Sequence, residues 1–261
     1  MKKAFFPGIT LCLLLLSALT FAKSPAKQMY YEIKIYRISQ PAQSDAIDKY
    51  LKDAFIPAMH RAGVSTIGVF KPVEADTAYG KLIYVFVPYK TTDQYFRVAD
   101  MLAADQVYQQ TGKFFLDAPV TNAPFNRYES IFLKAFSLMP QFKTYQYDTP
   151  PSQRIYELRS YESATEAKAL SKIKMFNEGG EIGIFEKVGS NAVFYGQVLF
   201  GSQKPRLMYL TTYADIKSHD DHWNAFRNHP DWLTLKAKEE YQKNTSATKA
   251  FLCHPTDYSD F

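Results

Sequence analysis

The densest cluster of side chains able to do chemistry is His219-Asp220-Asp221-His222. Histidines three apart on a helix share a face, and two imidazoles beside a carboxylate can hold a transition metal. The same four residues serve equally as a hydrophilic first helical turn, in which Asp220 and Asp221 complement the helix dipole. His219 and His222 are therefore the only metal candidates, and the expectation is that the protein holds no cofactor. A haem would need one histidine facing a broad apolar cavity; His60, His222 and His254 are scattered, and none sits in a haem-attachment motif. Oxygen chemistry without a cofactor would instead need a carbanion-forming substrate held by aromatic rings beside a group that stabilises the enolate. Asn191, Tyr195, Tyr209, His222 and Trp223 would build such a pocket, although aromatic residues at these spacings also build ordinary cores.

Standard signatures of other chemistries are missing. The chain has no GxSxG, no Walker loop, no glycine-rich dinucleotide fingerprint and no CxxC. Cys253 is followed by His254, but neighbours in a strand point to opposite faces, which argues against a nucleophile–base pair.

The elements that must position these residues begin with a strand that occurs twice. Tyr31-Glu32-Ile33-Lys34-Ile35-Tyr36-Arg37 returns as Tyr156-Glu157-Leu158-Arg159-Ser160-Tyr161-Glu162. Alternation puts Glu32 with Lys34, and Glu157 with Arg159, on one face as ionic pairs, and leaves Tyr31 and Tyr156 on the other. Further matches follow in order: Ile67-Gly68-Val69-Phe70 with Ile182-Gly183-Ile184-Phe185, Lys81-Leu82-Ile83-Tyr84 with Arg206-Leu207-Met208-Tyr209, and Lys134-Ala135-Phe136 with Lys249-Ala250-Phe251. The spacing alternates between 125 and 115 positions, which implies ten-residue additions in each copy.

The first copy reads as a strand over 29–38, a helix capped at Ser44 and kinked at Pro57 until Gly63 ends it, strands over 66–73 and 82–87, a helix from Thr92, a loop and a strand over 129–139. The second copy runs the same way. Its first helix, over 164–177, stops at Gly179-Gly180, a strand lies between Gly183 and Gly189, and residues 192–200 form an aromatic hairpin. A helix capped at Ser218 is then interrupted by Pro230. The order β-α-β-β-α-β is the ferredoxin-like split unit, so the fold class is α+β with antiparallel sheets. Helices cover one face of each four-stranded sheet. Pairing the two bare faces, within the chain or between chains, would cover the other.

Lys2-Lys3, the apolar run over 11–16 and the small residues before Lys23 read as a Sec signal peptide over 1–22, and hence an exported, periplasmic or secreted protein. Its loss removes two lysines and lowers the formal charge from +5 to +3. With no basic block, nothing points to nucleic acid, and no span is expected in the mature chain. Only Cys253 then remains, so an internal disulfide is excluded and packing must supply the stability. The domain expectation is 29–140, a linker over 141–153, and 154–261.

Tyr156-Glu157-Leu158-Arg159-Ser160-Tyr161, the aromatic run over 191–201, Leu207-Met208-Tyr209 and His222-Trp223-Asn224-Ala225-Phe226 leading to His229-Pro230-Asp231-Trp232 resemble the NIPSNAP domain. His229 replaces the first acid of that family's acidic-Pro-acidic-Trp turn. The resemblance implies a dimeric α-β barrel and two NIPSNAP-like domains, the first divergent. For function it implies a choice among the superfamily's activities. The leading expectation is a small apolar or aromatic ligand, or a protein partner, held between the sheets. Cofactor-independent monooxygenase chemistry or a purely structural, homo-oligomerising barrel are the alternatives. Tyr31, Tyr156, Tyr161, Asn191, Tyr195, Tyr209, His222 and Trp223 are the candidate ligand-binding residues.

Overall fold

The computed structural model describes residues 26–261, so the leader expected over 1–22 lies outside the described residues. Eight strands close into one barrel: β1 (Tyr30–Arg37), β2 (Gly68–Pro72), β3 (Leu82–Tyr89), β4 (Arg127–Ala135), β5 (Ile155–Glu162), β6 (Asn191–Phe200), β7 (Arg206–Tyr213) and β8 (Ala247–Pro255). Their order around the barrel is β1-β3-β2-β8-β5-β7-β6-β4, and every neighbouring pair is antiparallel. The two halves meet at β2–β8 and β4–β6, so the sheets join edge to edge within a single chain. Closure leaves no unpaired strand edge among the eight.

Helices cover the outside. On the first half lie α1 (Pro41–Tyr50), a π-helical turn (Leu51–Phe55), α2 (Ile56–Arg61), α3 (Thr92–Ala104), α4 (Gln106–Thr111) and α5 (Lys113–Leu116). On the second lie α6 (Glu166–Asn177), α7 (Glu181–Lys187), α8 (Ile216–Asn228) and α9 (Pro230–Ala237). Three apolar cores result, one under each helical layer and one inside the barrel. With both faces covered, the strands are buried almost throughout: in β1, Tyr31, Ile33 and Ile35 face the barrel interior while Tyr36 faces the helices.

Local chemistry explains the helix boundaries. Pro57 cannot donate to the carbonyl four residues back, and the chain widens into the π turn immediately before it, where a kink is expected from sequence. Gly63 and Gly180 end their helices at φ +83° and +91°, the left-handed region that costs glycine least. Two starts differ from expectation. Pro41 occupies the first turn of α1 with no side-chain cap, so Ser44 lies inside the helix. Helix α8 begins one turn before Ser218, where Asp215 and Ser218 form a reciprocal capping box.

The register corrects three of the sequence matches. Ile35 pairs with Tyr84 and Ser160 with Met208, so Met208, not Tyr209, is the counterpart of Tyr84. That one-residue slip moves Tyr209 to the helix side of the sheet. Ile33 pairs with Ile131 and Leu158 with Phe251, which displaces the match of Phe136 to Phe251. Ile182-Gly183-Ile184-Phe185 is helical, within α7, so it is no copy of β2 and no strand lies there. Residues 191–200 form a single strand, with the hairpin made by β6 and β7 together.

Candidate functional site

The barrel interior is graded from one end to the other. At one end Phe86 stacks on Phe194 at 5.1 Å and an interplanar angle of 12°, with Tyr31 against both at 5.3 and 5.1 Å. The segment joining the halves adds Phe142, 5.8 Å from Phe86, and the C-terminus adds Phe261, 5.7 Å from Phe86 and from Phe70. These rings plug that end. The remaining space beside Ile33, Phe86, Leu158 and Cys253 is about 10 Å³, no more than one water's worth.

The opposite end is open. A cavity of about 330 Å³ lies there between Ile35, Leu82, Leu158, Met208 and Phe251, with Arg37, Tyr84, Glu129, Ser160, Gln203, Arg206 and Lys249 also on its wall. Each half contributes to it through the register. Ile35, Tyr84 and Glu129 share one rung, Ser160, Met208 and Lys249 the equivalent rung, and Arg206 sits beyond them opposite Glu162.

The polar groups of this mouth are incompletely satisfied. Lys249 Nζ lies 3.1 Å from Glu162, and Arg37 lies 3.6 Å from Glu129, which also accepts from Ser202. Arg206, only 5% exposed, donates through Nη1 to Gln203 at 3.2 Å. Its Nη2 stands 3.7 Å from Glu129, beyond hydrogen-bond distance. Among the described residues, Arg206 Nε and Nη2, Tyr84 Oη and Ser160 Oγ are buried with no hydrogen-bond partner. Burial lowers the Arg206 pKa, against the pull of Glu129 and Glu162, yet an arginine stays charged. Burial raises the Tyr84 pKa, helped by Cys253 and Asp76, so its hydroxyl remains a donor. Leaving such groups unpaired is costly, and none of these atoms has surface that water can reach.

The residues singled out in the sequence divide between compartments. Tyr31 and Tyr156 lie inside the barrel at the plugged end. Tyr161, Tyr195, Tyr209 and Trp223 lie on the far side of the sheet, packed under the helices. Tyr161 and Tyr209 share a hydroxyl–hydroxyl bond of 2.8 Å, and a bulge between Ala192 and Phe194 turns Phe194 inward and Tyr195 outward. Asn191 donates to Tyr147 at 3.0 Å, and His222 packs on Tyr213 at a centroid distance of 5.8 Å. Tyr161, Tyr195, Tyr209, His222 and Trp223 therefore do not face the inter-sheet space, whereas Asn191 pairs with Thr212 on the face that carries Tyr156, at the plugged end.

Under α8 lies a buried ionic network. Glu157 accepts from Arg159 and from Trp223 Nε1, each at 2.6 Å, and His219 approaches the same carboxylate at 3.4 Å while Nδ1 meets Asp220 at 2.8 Å. The same-face pairs Glu32–Lys34, at 3.2 Å, and Glu157–Arg159 both form. His219 thus engages carboxylates, and no group of three His, Cys, Asp or Glu side chains suited to a metal occurs among the described residues. Burial disfavours the charged imidazole, but Glu157 and Asp220 outweigh it and raise the His219 pKa above its usual value of 6.5. A raised pKa stabilises the fold below the unfolded-state value, and the benefit fades as pH climbs through the folded one. The Tm advantage of wild type over His219→Gln is expected to be largest below about pH 6.5 and to shrink by about 2–4 °C toward pH 8 in thermal melts.

Sequence reasoning did not find the mouth residues Arg37, Tyr84, Glu129, Ser160, Arg206 and Lys249. Two signals were present: Ser160 interrupts the apolar face begun by Tyr156 and Leu158, and Arg206 opens a strand that is buried throughout. The same fold occurs in solved structures. A Lactobacillus acidophilus protein proposed to be a monooxygenase matches at 14% identity and TM-score 0.57, covering 88% of this chain and 94% of its own. A Fusobacterium nucleatum protein with the same proposal matches at 12% identity and TM-score 0.50, covering 88% and 93%. An anthrone oxidase-like protein matches at 8% identity and TM-score 0.51, covering 90% and 94%. At these identities the likeness is one of fold. No curated protein matches the chain by sequence. Among the described residues no helix is long and apolar enough to cross a membrane. Residues 156–260 match the NIPSNAP family, which identifies a NIPSNAP domain in the second half of this closed α+β barrel.

Proposed function

We propose that this protein binds a small, partly apolar molecule in the open mouth of its barrel, while the plugged end serves as structural core. The observation that carries the reading is the cavity of about 330 Å³ whose wall combines apolar side chains with a few polar and charged ones. Its size falls in the range of small-molecule sites, and a few convergent polar groups on an apolar wall are their usual chemistry. In this reading the halves are two ferredoxin-like units joined by 141–153, and the protein is exported after loss of 1–22. The barrel closes within one chain, so the site needs no second copy.

Monooxygenase chemistry, as proposed for two of the similar structures, would require a base to take a proton from the substrate. The mouth's carboxylates, Glu129 and Glu162, are already engaged by Arg37 and Lys249, which favours binding over catalysis.

Calorimetric titration with arylalkyl acids and their matching alcohols, two to four carbons in the chain, tests the proposal. Met208 is buried in the mouth wall, and Met208→Trp fills the space. At least one probe is expected to saturate the wild type, with affinity reduced tenfold or more in Met208→Trp. No saturation by any probe, or equal affinity in both proteins, contradicts the assignment.

A further inference from the structure

Polarity along the barrel interior changes in a single step. Alternate residues of a strand share a face, so the inward side chains form rungs. The outermost rung carries Arg37 and Leu82 from one half and Glu162 and Arg206 from the other. The next carries Ile35, Tyr84 and Glu129, with Ser160, Met208 and Lys249. The third holds Ile33, Phe86 and Ile131, with Leu158, Leu210 and Phe251, and has no side-chain heteroatom. Every charged group of the mouth therefore lies on the two outer rungs, and the space ends inward on hydrocarbon. That floor is thin. Tyr84 and Leu158 line both the cavity of about 330 Å³ and the void of about 10 Å³ behind it. Tyr84 is braced against Phe251, at a ring-centroid distance of 5.5 Å and an interplanar angle of 39°. Behind Leu158 the void is walled by Ile33, Phe70, Phe86, Leu210 and Cys253, so this one side chain separates two apolar spaces.

We infer that the mouth takes a linear amphiphile, its polar head at the charged rim and an unbranched apolar tail pointing down the barrel, and that Leu158 sets the length of that tail. The inference rests on the binding role proposed above and specifies the ligand's shape and the residue that measures it. The step in polarity fixes the direction. A polar head at the third rung would lose its water with nothing to replace it, whereas a tail gains from every carbon it buries there. The floor fixes the length. A tail that reaches Leu158 can go no further, because the space of about 10 Å³ behind it holds one water at most.

The test measures the affinity of unbranched 1-alkanols, from butanol to decanol, by calorimetry on the wild type and on Leu158→Ala and Leu158→Val. In the wild type each added methylene is expected to tighten binding about fourfold until the tail meets the floor, where the gain stops. Leu158→Ala removes three carbons from the floor and joins the two spaces, and it should move that break outward by at least two carbons. Leu158→Val removes one carbon and should move the break by roughly one, which keeps the test available if the alanine variant does not fold. A break at the same length in wild type and variants overturns the assignment of Leu158, as does a gain that continues undiminished to decanol in the wild type. If no alkanol binds while an arylalkyl probe does, the amphiphile inference falls and the binding role stands. If neither series binds, both fall.

Discussion

Lys172→Met is expected to lower the unfolding free energy by about 3–5 kcal/mol, the usual cost of leaving one member of a buried ion pair alone. Lys172 Nζ donates to Glu181 at 2.8 Å beneath the second helical layer, where the side chains are 6% and 2% exposed. The aromatic rings of Phe176, Tyr161 and Trp232 lie 4.8–5.6 Å from the ammonium and shield it from water. Burial raises the Glu181 pKa even with Lys172 beside it, so without the lysine the carboxylate must be protonated or buried alone. A carboxyl group with a raised folded pKa destabilises above its unfolded value, and that penalty is relieved as pH falls toward it. The deficit of Lys172→Met in denaturant unfolding should therefore shrink between pH 7 and pH 5. The double variant Lys172→Met/Glu181→Leu removes both charges and should return to within about 1–2 kcal/mol of wild type, since an apolar pair of similar volume often replaces a buried ion pair without loss. An additive loss in the double variant would show that the pair contributes shape rather than charge compensation.

Phe194→Ala is expected to cost a further large amount, about 3–5 kcal/mol, by opening a cavity at the plugged end of the barrel. Phe194 is fully buried, stacked on Phe86 and tilted against Tyr31. Phe142 and Phe261, which pack on Phe86, come from the joining segment and the C-terminus, and neither belongs to a strand that could shift to refill the space. Chemical denaturation of the single variant measures the loss. A cost below about 1 kcal/mol would mean that the rings at this end are loosely packed and that the barrel has no structural plug. The two variants act on different sides of the sheet and share no partner, so their costs should add.

Alternation was enough to read which face of the repeated strand carries what. Tyr31 and Tyr156 lie inside the barrel, and the pairs Glu32–Lys34 and Glu157–Arg159 lie outside it, because side-chain direction in a strand follows from parity alone. Parity also explains the errors. The likeness of Ile83-Tyr84 to Met208-Tyr209 is one residue out of register, and that single step places Tyr84 in the mouth and Tyr209 under the helices. A four-residue apolar run such as Ile182-Gly183-Ile184-Phe185 is too short for its periodicity to separate strand from helix, and it proved helical. The mouth itself was illegible for a different reason. Arg37, Glu129, Ser160, Arg206 and Lys249 come from five strands, and their convergence depends on how the sheet closes. The aromatic and histidine-rich stretch over 218–232 drew attention because it is locally dense in ionisable groups, yet its charges are spent on one another through Glu157, Arg159 and His219.

The most direct test uses the methionine methyl groups, which report on both sides of the sheet at once. Met208 lines the mouth, whereas Met175 is buried under α6, beside Lys172. In a protein labelled with carbon-13 at the methionine methyls, titration with 3-phenylpropanoate should shift the Met208 signal in a saturable manner and leave Met175 in place. A saturable shift of Met175 with Met208 unmoved would place the binding site under the helices and contradict a ligand site in the barrel mouth.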